Sequence, residues 1–122
     1  ITYRVYDYDR LSDGKPRQLH IAQSIDVITV PAKSAENSVV HTEKKDDAIQ
    51  QLIRCPYYTV CRIDVEHRVE TWQDKPFILM SVVEGEGTLN GTPLKKGDHL
   101  ILPDGYGKVE LQGRMQIIAS TI

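Results

Sequence analysis

The amino-acid sequence predicts an all-β fold: a double-stranded β-helix, or jelly-roll barrel, with one short N-terminal helix. Residues 77–90 and 97–108 carry an apolar strand, a Glu-Gly-Glu-Gly segment, a hairpin and a Pro-Asp-Gly corner, in the order typical of such barrels. Turn signals recur about every eight to twelve residues, which is the spacing of a sandwich or barrel. The 122 residues are enough for one hydrophobic core.

The first ten residues predict a strand of unusual polarity. Successive side chains of a strand point to opposite faces. One face would carry Thr2, Arg4, Tyr6, Tyr8 and Arg10, and the other Tyr3, Val5, Asp7 and Asp9. Neither face resembles a core, so the strand is either a solvated edge or the lining of a polar pocket.

Three segments lie between this strand and the barrel. Residues 11–16 contain Ser-Asp-Gly-Lys-Pro and predict a turn-rich loop. The apolar spacing of Leu19–Ile28 predicts a short amphipathic helix. Residues 31–47 are polar and without periodicity, which predicts a linker.

The first half of the barrel region predicts three strands. Residues 48–54 are compatible with a helix turn or a strand, and their shortness and the following Cys-Pro favour extended structure. Residues 57–66 predict a strand because of their β-branched and aromatic content. Residues 67–76 are polar and predict a connection containing the only tryptophan. Residues 77–84 are almost continuously apolar, which predicts a strand buried on both faces.

The second half predicts a hairpin and three further strands. Asn90-Gly91 is a strong signal for a two-residue hairpin turn. Residues 99–102, 108–111 and 115–120 predict the strands, with Gly113 separating the last two.

Composition and charge argue against several classes of protein. The net charge of −2 gives no electrostatic reason to expect a nucleic acid or a membrane as partner. No apolar run approaches the roughly 18 residues of a membrane span. The chain has no signal peptide and no initiator Met, so we expect a piece of a longer cytoplasmic protein. Cys55 and Cys61 predict free thiols in a reducing compartment.

The two barrel segments resemble the cupin superfamily. Gly97, Pro103 and Gly105 match the start of its second motif, Gly-x5-Pro-x-Gly. That motif then asks for His and Asn, where this chain has Lys108 and Gln112. The segment DVEHRVETWQDKP, where the first motif should offer His-x-His, contains a single histidine.

These departures predict a barrel without a metal. A cupin metal site needs several converging neutral imidazoles, and a lysine ammonium repels a cation. The histidines at positions 20, 41, 67 and 99 are scattered, and we expect them on the surface or in loops.

A closer resemblance extends over nearly the whole chain. The segments TYRVYDYDR, RQLHIAQSIDVI, LIRCPYYTV, SVVEGEGTLNG and LKKGDHLILP resemble the low-molecular-weight type I mannose-6-phosphate isomerases of Gram-positive bacteria. The resemblance implies that residues 1–30 are the closing strand and helix of an upstream catalytic cupin domain. It implies a linker at 31–47 and a metal-free C-terminal cupin barrel at 48–122. The catalytic zinc would be bound upstream, by residues absent from this chain.

The resemblance also implies one catalytic residue. Arg4 stands in the Thr-Tyr-Arg-Val-Tyr-Asp context of the family's active-site arginine. A guanidinium suits the oxyanion of an enediolate and the phosphate of the substrate. The predicted alternation places Tyr6 beside Arg4 as a substrate-binding residue. Arg10 is expected to be a surface charge, and Asp7 and Asp9 to form local hydrogen bonds.

Two functions therefore stand as hypotheses. The chain is the C-terminal part of a zinc-dependent mannose-6-phosphate isomerase of carbohydrate metabolism, inactive alone, with a sugar phosphate as the substrate of the parent enzyme. Alternatively, it is a free-standing metal-free cupin module that binds a sugar or another small molecule. The sequence upstream of residue 1 would discriminate between them. Either hypothesis allows a homodimer through sheet faces or edges.

Overall fold

The structure, a computed structural model, describes residues 2–122. The chain divides into two compact units, Ile1–Val39 and Val40–Ile122. In the described part of the chain, no helix is long and apolar enough to cross a membrane.

The N-terminal unit is mostly loop. It contains a minimal hairpin, a short α-helix and a 3-10 helix: β1 (Leu11–Ser12), β2 (Lys15–Pro16), α1 (Ile21–Val27) and the 3-10 helix Ala35–Ser38. The hairpin turns at Asp13 and Gly14, where φ is 52° and 73°. The predicted helix is confirmed, although it is shorter than the apolar pattern suggested.

The predicted strand at residues 3–10 is wrong. The backbone N–H of Arg4 donates to the imidazole of His20 instead of to a neighbouring strand. Tyr8 and Asp9 adopt φ values of 52° and 55°, and the Arg10 N–H donates to the Asp7 carbonyl at 3.0 Å. Because this turn interrupts the extended backbone, the two-faced alternation on which Tyr6 was grouped with Arg4 does not hold.

The second unit is built from seven antiparallel strands. They are β3 (Ala48–Arg54), β4 (Thr59–Val65), β5 (Arg68–Gln73), β6 (Phe77–Leu89), β7 (Thr92–Lys95), β8 (His99–Pro103) and β9 (Gly107–Thr121). The order is β3-β4-β9-β6-β7, with β5 also paired to β9 and β8 also paired to β6. The all-β fold with one helix is therefore confirmed.

The two longest strands, β6 and β9, join the halves of the barrel. Strand β9 pairs with β5 through residues 107–112 and with β4 through residues 115–121. Gly113 lies between these stretches with φ of 116° and faces Gly87 of β6. The prediction of two separate strands at 108–111 and 115–120 is wrong, because this glycine lets one strand bend and continue.

The core fills the inside of the barrel. Every strand from β4 to β9 except β7 contributes at least one buried apolar side chain. The buried set is Ile63, Val65, Val69, Met80, Val82, Leu89, Leu102, Val109, Leu111, Met115, Ile117 and Ala119. The interior is therefore a packed apolar core.

Two predictions about strands in this unit are wrong. The polar connection at 67–76 contains β5, whose Val69 and Gln73 face inwards while its charged residues face solvent. Strand β6 is not buried on both faces: Met80 and Val82 are buried, but Leu79 is 42% exposed. Both errors come from the antiparallel sheet, which buries one face and leaves the other in water.

Candidate functional site

Arg4 is held through its backbone by His20. The Arg4 N–H donates to Nδ1 of His20 at 3.1 Å, and the His20 N–H donates to the Arg4 carbonyl at 2.7 Å. The His20 carbonyl in turn accepts from the hydroxyl of Ser24, at 2.7 Å in the first turn of α1. This reciprocal pair of bonds fixes the loop that carries Arg4 to the start of the helix. It also requires a neutral His20 ring with its proton on Nε2.

The guanidinium of Arg4 is anchored at two of its three nitrogens. Nη1 donates to the Gln18 carbonyl at 2.8 Å, and Nε lies 3.5 Å from Oδ1 of Asp7. The side chain is 29% exposed. Within residues 2–122, Nη2 has no hydrogen-bond acceptor, so its donors are free for a ligand.

Asp7 links Arg4 to a second arginine. Nε of Arg17 donates to Oδ2 of Asp7 at 2.7 Å, and Nη2 of Arg17 donates to Oδ1, which makes a bidentate pair. The Arg17 hydrogen bond is the main reason that the pKa of Asp7 lies below its ordinary value, with Coulombic help from Arg4. The same bond raises the pKa of Arg17. Asp7 therefore remains ionised and acts as a fixed negative charge between two cations.

Sequence reasoning missed the part that Arg17 plays. Asp7 was expected to bond locally, but its strongest partner lies ten residues away across the β1–β2 hairpin. No periodicity connects the two positions. The turn-rich loop predicted at residues 11–16 was the one available signal that the two positions would meet.

Tyr6 belongs to an exposed aromatic group. The residue is 65% exposed, and its ring packs edge-to-face against Tyr8, with the centroids 4.9 Å apart. The guanidinium carbon of Arg10 lies 5.7 Å from the centre of the Tyr8 ring, within reach of a cation–π interaction. Tyr6 is accessible to a ligand, but the strand alternation that first suggested its role is absent.

The barrel positions at which the second cupin motif asks for His and Asn lie on its outer surface. Lys108 is 56% exposed and forms ion pairs with Glu70 at 2.9 Å and Glu110 at 3.7 Å. Gln112 also faces outwards and donates to Glu110. The residue after Lys108, Val109, is the one that enters the core.

The donors of residues 2–122 do not assemble a zinc site of their own. Across residues 2–122, no three His, Cys, Asp or Glu side chains are grouped so that they could hold a metal ion. Two of the histidines have other partners on the surface: His67 contacts Asp47 at 3.0 Å, and His99 contacts Ser81 at 2.8 Å. Cys55 and Cys61 are free thiols, and partial burial raises the pKa of Cys61.

The sheet order and the packed interior define the second unit as a cupin barrel. An RmlC-like cupin protein from Desulfovibrio desulfuricans has the same fold, with a TM-score of 0.52 and 16% sequence identity. The match covers 73% of this chain and 94% of that protein. The family model "Mannose-6-phosphate isomerase, cupin domain" matches residues 48–122. This chain belongs to that family, and its relatives are type I mannose-6-phosphate isomerases of Gram-positive bacteria.

Relatives extend the match to the N-terminal unit. The chain is 43% identical to mannose-6-phosphate isomerase ManA of Bacillus subtilis, over 98% of this chain and 39% of ManA. The crystal structure of the mannose 6-phosphate isomerase from Bacillus subtilis superposes with a TM-score of 0.73 at 37% identity, covering 98% of this chain and 40% of that one. The chain thus spans about two fifths of the length of these relatives.

Proposed function

We propose that this chain is the C-terminal part of a zinc-dependent mannose-6-phosphate isomerase, which interconverts mannose 6-phosphate and fructose 6-phosphate in carbohydrate metabolism. The observation that carries the proposal is the 43% identity to ManA over 98% of the chain, through both structural units. We further propose that the chain alone is inactive. The remainder of the parent enzyme, the longer isomerase to which the chain would belong, supplies the zinc site.

Arg4 is the residue of this chain proposed to contact the substrate. Isomerisation of an aldose to a ketose moves a proton between C1 and C2 through an enediolate, so negative charge develops on oxygen. The substrate also carries a phosphate. A guanidinium is permanently charged and offers fixed donors to either group. The Nη2 donors of Arg4 are available for this purpose because Gln18 and Asp7 are contacted by its other two nitrogens, Nη1 and Nε.

The remaining roles follow from exposure and charge. Tyr6 is proposed as a weaker substrate contact, because its ring is accessible and lies two residues from Arg4. We assign the parent enzyme to the cytoplasm, in keeping with its free cysteines. The proposed partner is the sugar phosphate substrate of the parent enzyme, and the net charge of −2 gives no electrostatic reason to propose a nucleic acid or a membrane.

The first test is an activity assay of the purified 122-residue chain. A coupled assay would follow mannose 6-phosphate turnover with and without added zinc. We expect none in either condition, because the donors of residues 2–122 do not assemble a metal-ligand set. The parent enzyme, assayed in parallel, is the positive control. Turnover by the isolated chain would contradict the proposal that it is inactive without the zinc site of the parent enzyme.

The second test addresses Arg4 in the parent enzyme. Arg4→Ala should lower kcat by about a hundredfold or more, as expected for the loss of a transition-state charge partner. Arg10→Ala is the matched control from the same loop, and its kcat should stay within about threefold of the unmodified enzyme. A change below about threefold for Arg4→Ala would remove Arg4 from the active site.

A further inference from the structure

The Arg17–Asp7 pair lies where it can set the orientation of Arg4. Asp7 is almost enclosed, with its side chain 12% exposed, and both of its oxygens face Arg17. A carboxylate held by a two-point fork cannot rotate freely. Its Oδ1 atom lies 3.5 Å from Nε of Arg4 and therefore presents a fixed negative charge to that nitrogen of the guanidinium.

Charge explains why this arrangement needs Asp7. Arg4 and Arg17 both contact the same carboxylate, so their guanidiniums lie close together and repel each other when that charge is removed. The remaining anchor of Arg4 would be the Gln18 carbonyl, one neutral acceptor next to Arg17 itself in the chain. Such a single bond leaves a long side chain free to adopt other rotamers.

We propose that Asp7, clamped by Arg17, is a positioning residue that holds the Arg4 guanidinium with its Nη2 donors directed at the anionic oxygens of the substrate. The proposal rests on the proposed function and deepens it. Asp7 and Arg17 need not touch the substrate: Asp7 acts through Arg4, and Arg17 acts through Asp7. Arg4 and Asp7 of the N-terminal loop and Arg17, which directly follows β2, would then act together.

The test is a double-mutant cycle in the parent enzyme. Asp7→Asn keeps the shape of the side chain but removes its charge, and it should lower kcat/KM by about tenfold. In an Arg4→Ala background the same change should alter kcat/KM by less than about threefold, because no guanidinium is left to position. Asp9→Asn is the matched control: it lies in the adjacent turn and should leave kcat/KM within about threefold in both backgrounds.

A second variant guards against a purely structural explanation. Arg17→Lys keeps the positive charge but cannot form the two-point fork. It should also lower kcat/KM by about three- to tenfold in the enzyme that retains Arg4, but not in the Arg4→Ala background. Melting temperatures of all variants would be recorded alongside. If Asp7 only stabilises the hairpin, the effects of Asp7→Asn and Arg4→Ala multiply instead of overlapping, and the proposal is wrong.

The outcomes separate this proposal from the proposed function. If Arg4→Ala lowers kcat/KM strongly but Asp7→Asn does not, only the positioning proposal fails. If Arg4→Ala itself has no effect, the positioning proposal and the proposed role of Arg4 both fail, while turnover by the parent enzyme still tests the proposed function separately. If Asp7→Asn lowers kcat/KM by the same factor in the Arg4→Ala background as in the unmodified enzyme, Asp7 does not act through Arg4, and the positioning proposal fails.

Discussion

The Glu-Gly-Glu-Gly segment of β6 offers the sharpest test of how this barrel is built. A methyl group added at Gly85 would lie 2.0 Å from the Arg114 carbonyl oxygen and 2.9 Å from Cα of Met115. Both contacts are with the backbone of β9, which is held in the sheet on both sides and cannot move away easily. Gly85 also has φ of 76°, a conformation that costs a residue with a Cβ about 1–2 kcal/mol.

The expected loss of stability combines these two terms. Overpacking of a tight site adds about 1–3 kcal/mol, and a clash with paired backbone falls at the upper end. Gly85→Ala should therefore lower the free energy of unfolding by about 3–5 kcal/mol. For a unit of this size, each kcal/mol shifts Tm by about 4–8 °C, so the melting temperature should fall by at least about 12 °C.

Gly91→Ala is the matched control. Gly91 has a similar φ of 83° but nothing within 4 Å of the added methyl group, so only the conformational cost applies. Thermal unfolding of the two variants of the 122-residue chain, followed by circular dichroism, gives the comparison. Gly87→Ala isolates the clash, because its added methyl group would lie 2.1 Å from the Gln112 carbonyl oxygen without a positive φ. Equal losses for Gly85→Ala and Gly91→Ala would refute the close approach of β6 and β9.

Two further predictions concern the surface of the barrel. The backbone N–H of His67, together with those of Glu66 and Arg68, lowers the pKa of Asp47 from 3.8 to about 2. Because the pKa of Asp47 is lower in the folded than in the unfolded chain, its ionised carboxylate stabilises the fold above the unfolded pKa of 3.8, and this stabilisation is lost as the pH falls through about 2. Asp47→Asn should therefore be less stable than the unmodified chain near neutral pH and should lose less stability on acidification. Urea unfolding at several pH values measures this difference in stability. Asp46→Asn is the control, because the Asp46 side chain is 64% exposed. Parallel profiles of stability against pH for Asp47→Asn and the unmodified chain would contradict the prediction. Lys108→His should not create a zinc site, because the side chain at position 108 faces outwards. Calorimetric titration of the variant with zinc checks this prediction, and saturable zinc binding would contradict it.

Local signals in the sequence predicted the parts of the fold that depend on neighbouring residues. The hairpin at Asn90 and Gly91 is confirmed with φ values of 46° and 83°, because a two-residue turn is determined by its own sequence. Strand β5 was missed because its partner, residues 107–112 of β9, lies far along the chain and its exposed face is charged. The predicted strand at residues 3–10 was wrong for a related reason: strand propensity has no effect where the backbone donors find side-chain and turn partners.

The candidate site was only partly predictable from the sequence. Arg4 was proposed through its family context, and the structure adds the contacts that anchor its side chain. Its neighbours could not be found this way, because the Asp7–Arg17 pair and the His20–Arg4 bonds depend on how the hairpin and α1 fold back on the loop. Tertiary contacts of this kind leave no periodic trace in a single sequence.

The barrel shows that the glycines and the histidines of the cupin pattern serve separable physical purposes. Gly85, Gly87 and Gly113 lie where β6 and β9 approach too closely for a side chain, so the fold itself requires them. The position of the second-motif histidine, Lys108, lies on the outer face and forms surface ion pairs instead. Because the strand crossing depends on backbone approach and not on a metal, a barrel with the glycines can close around an apolar core without any ligand set. The proposed chemistry then falls to the N-terminal unit, where Arg4 has donors to offer a substrate.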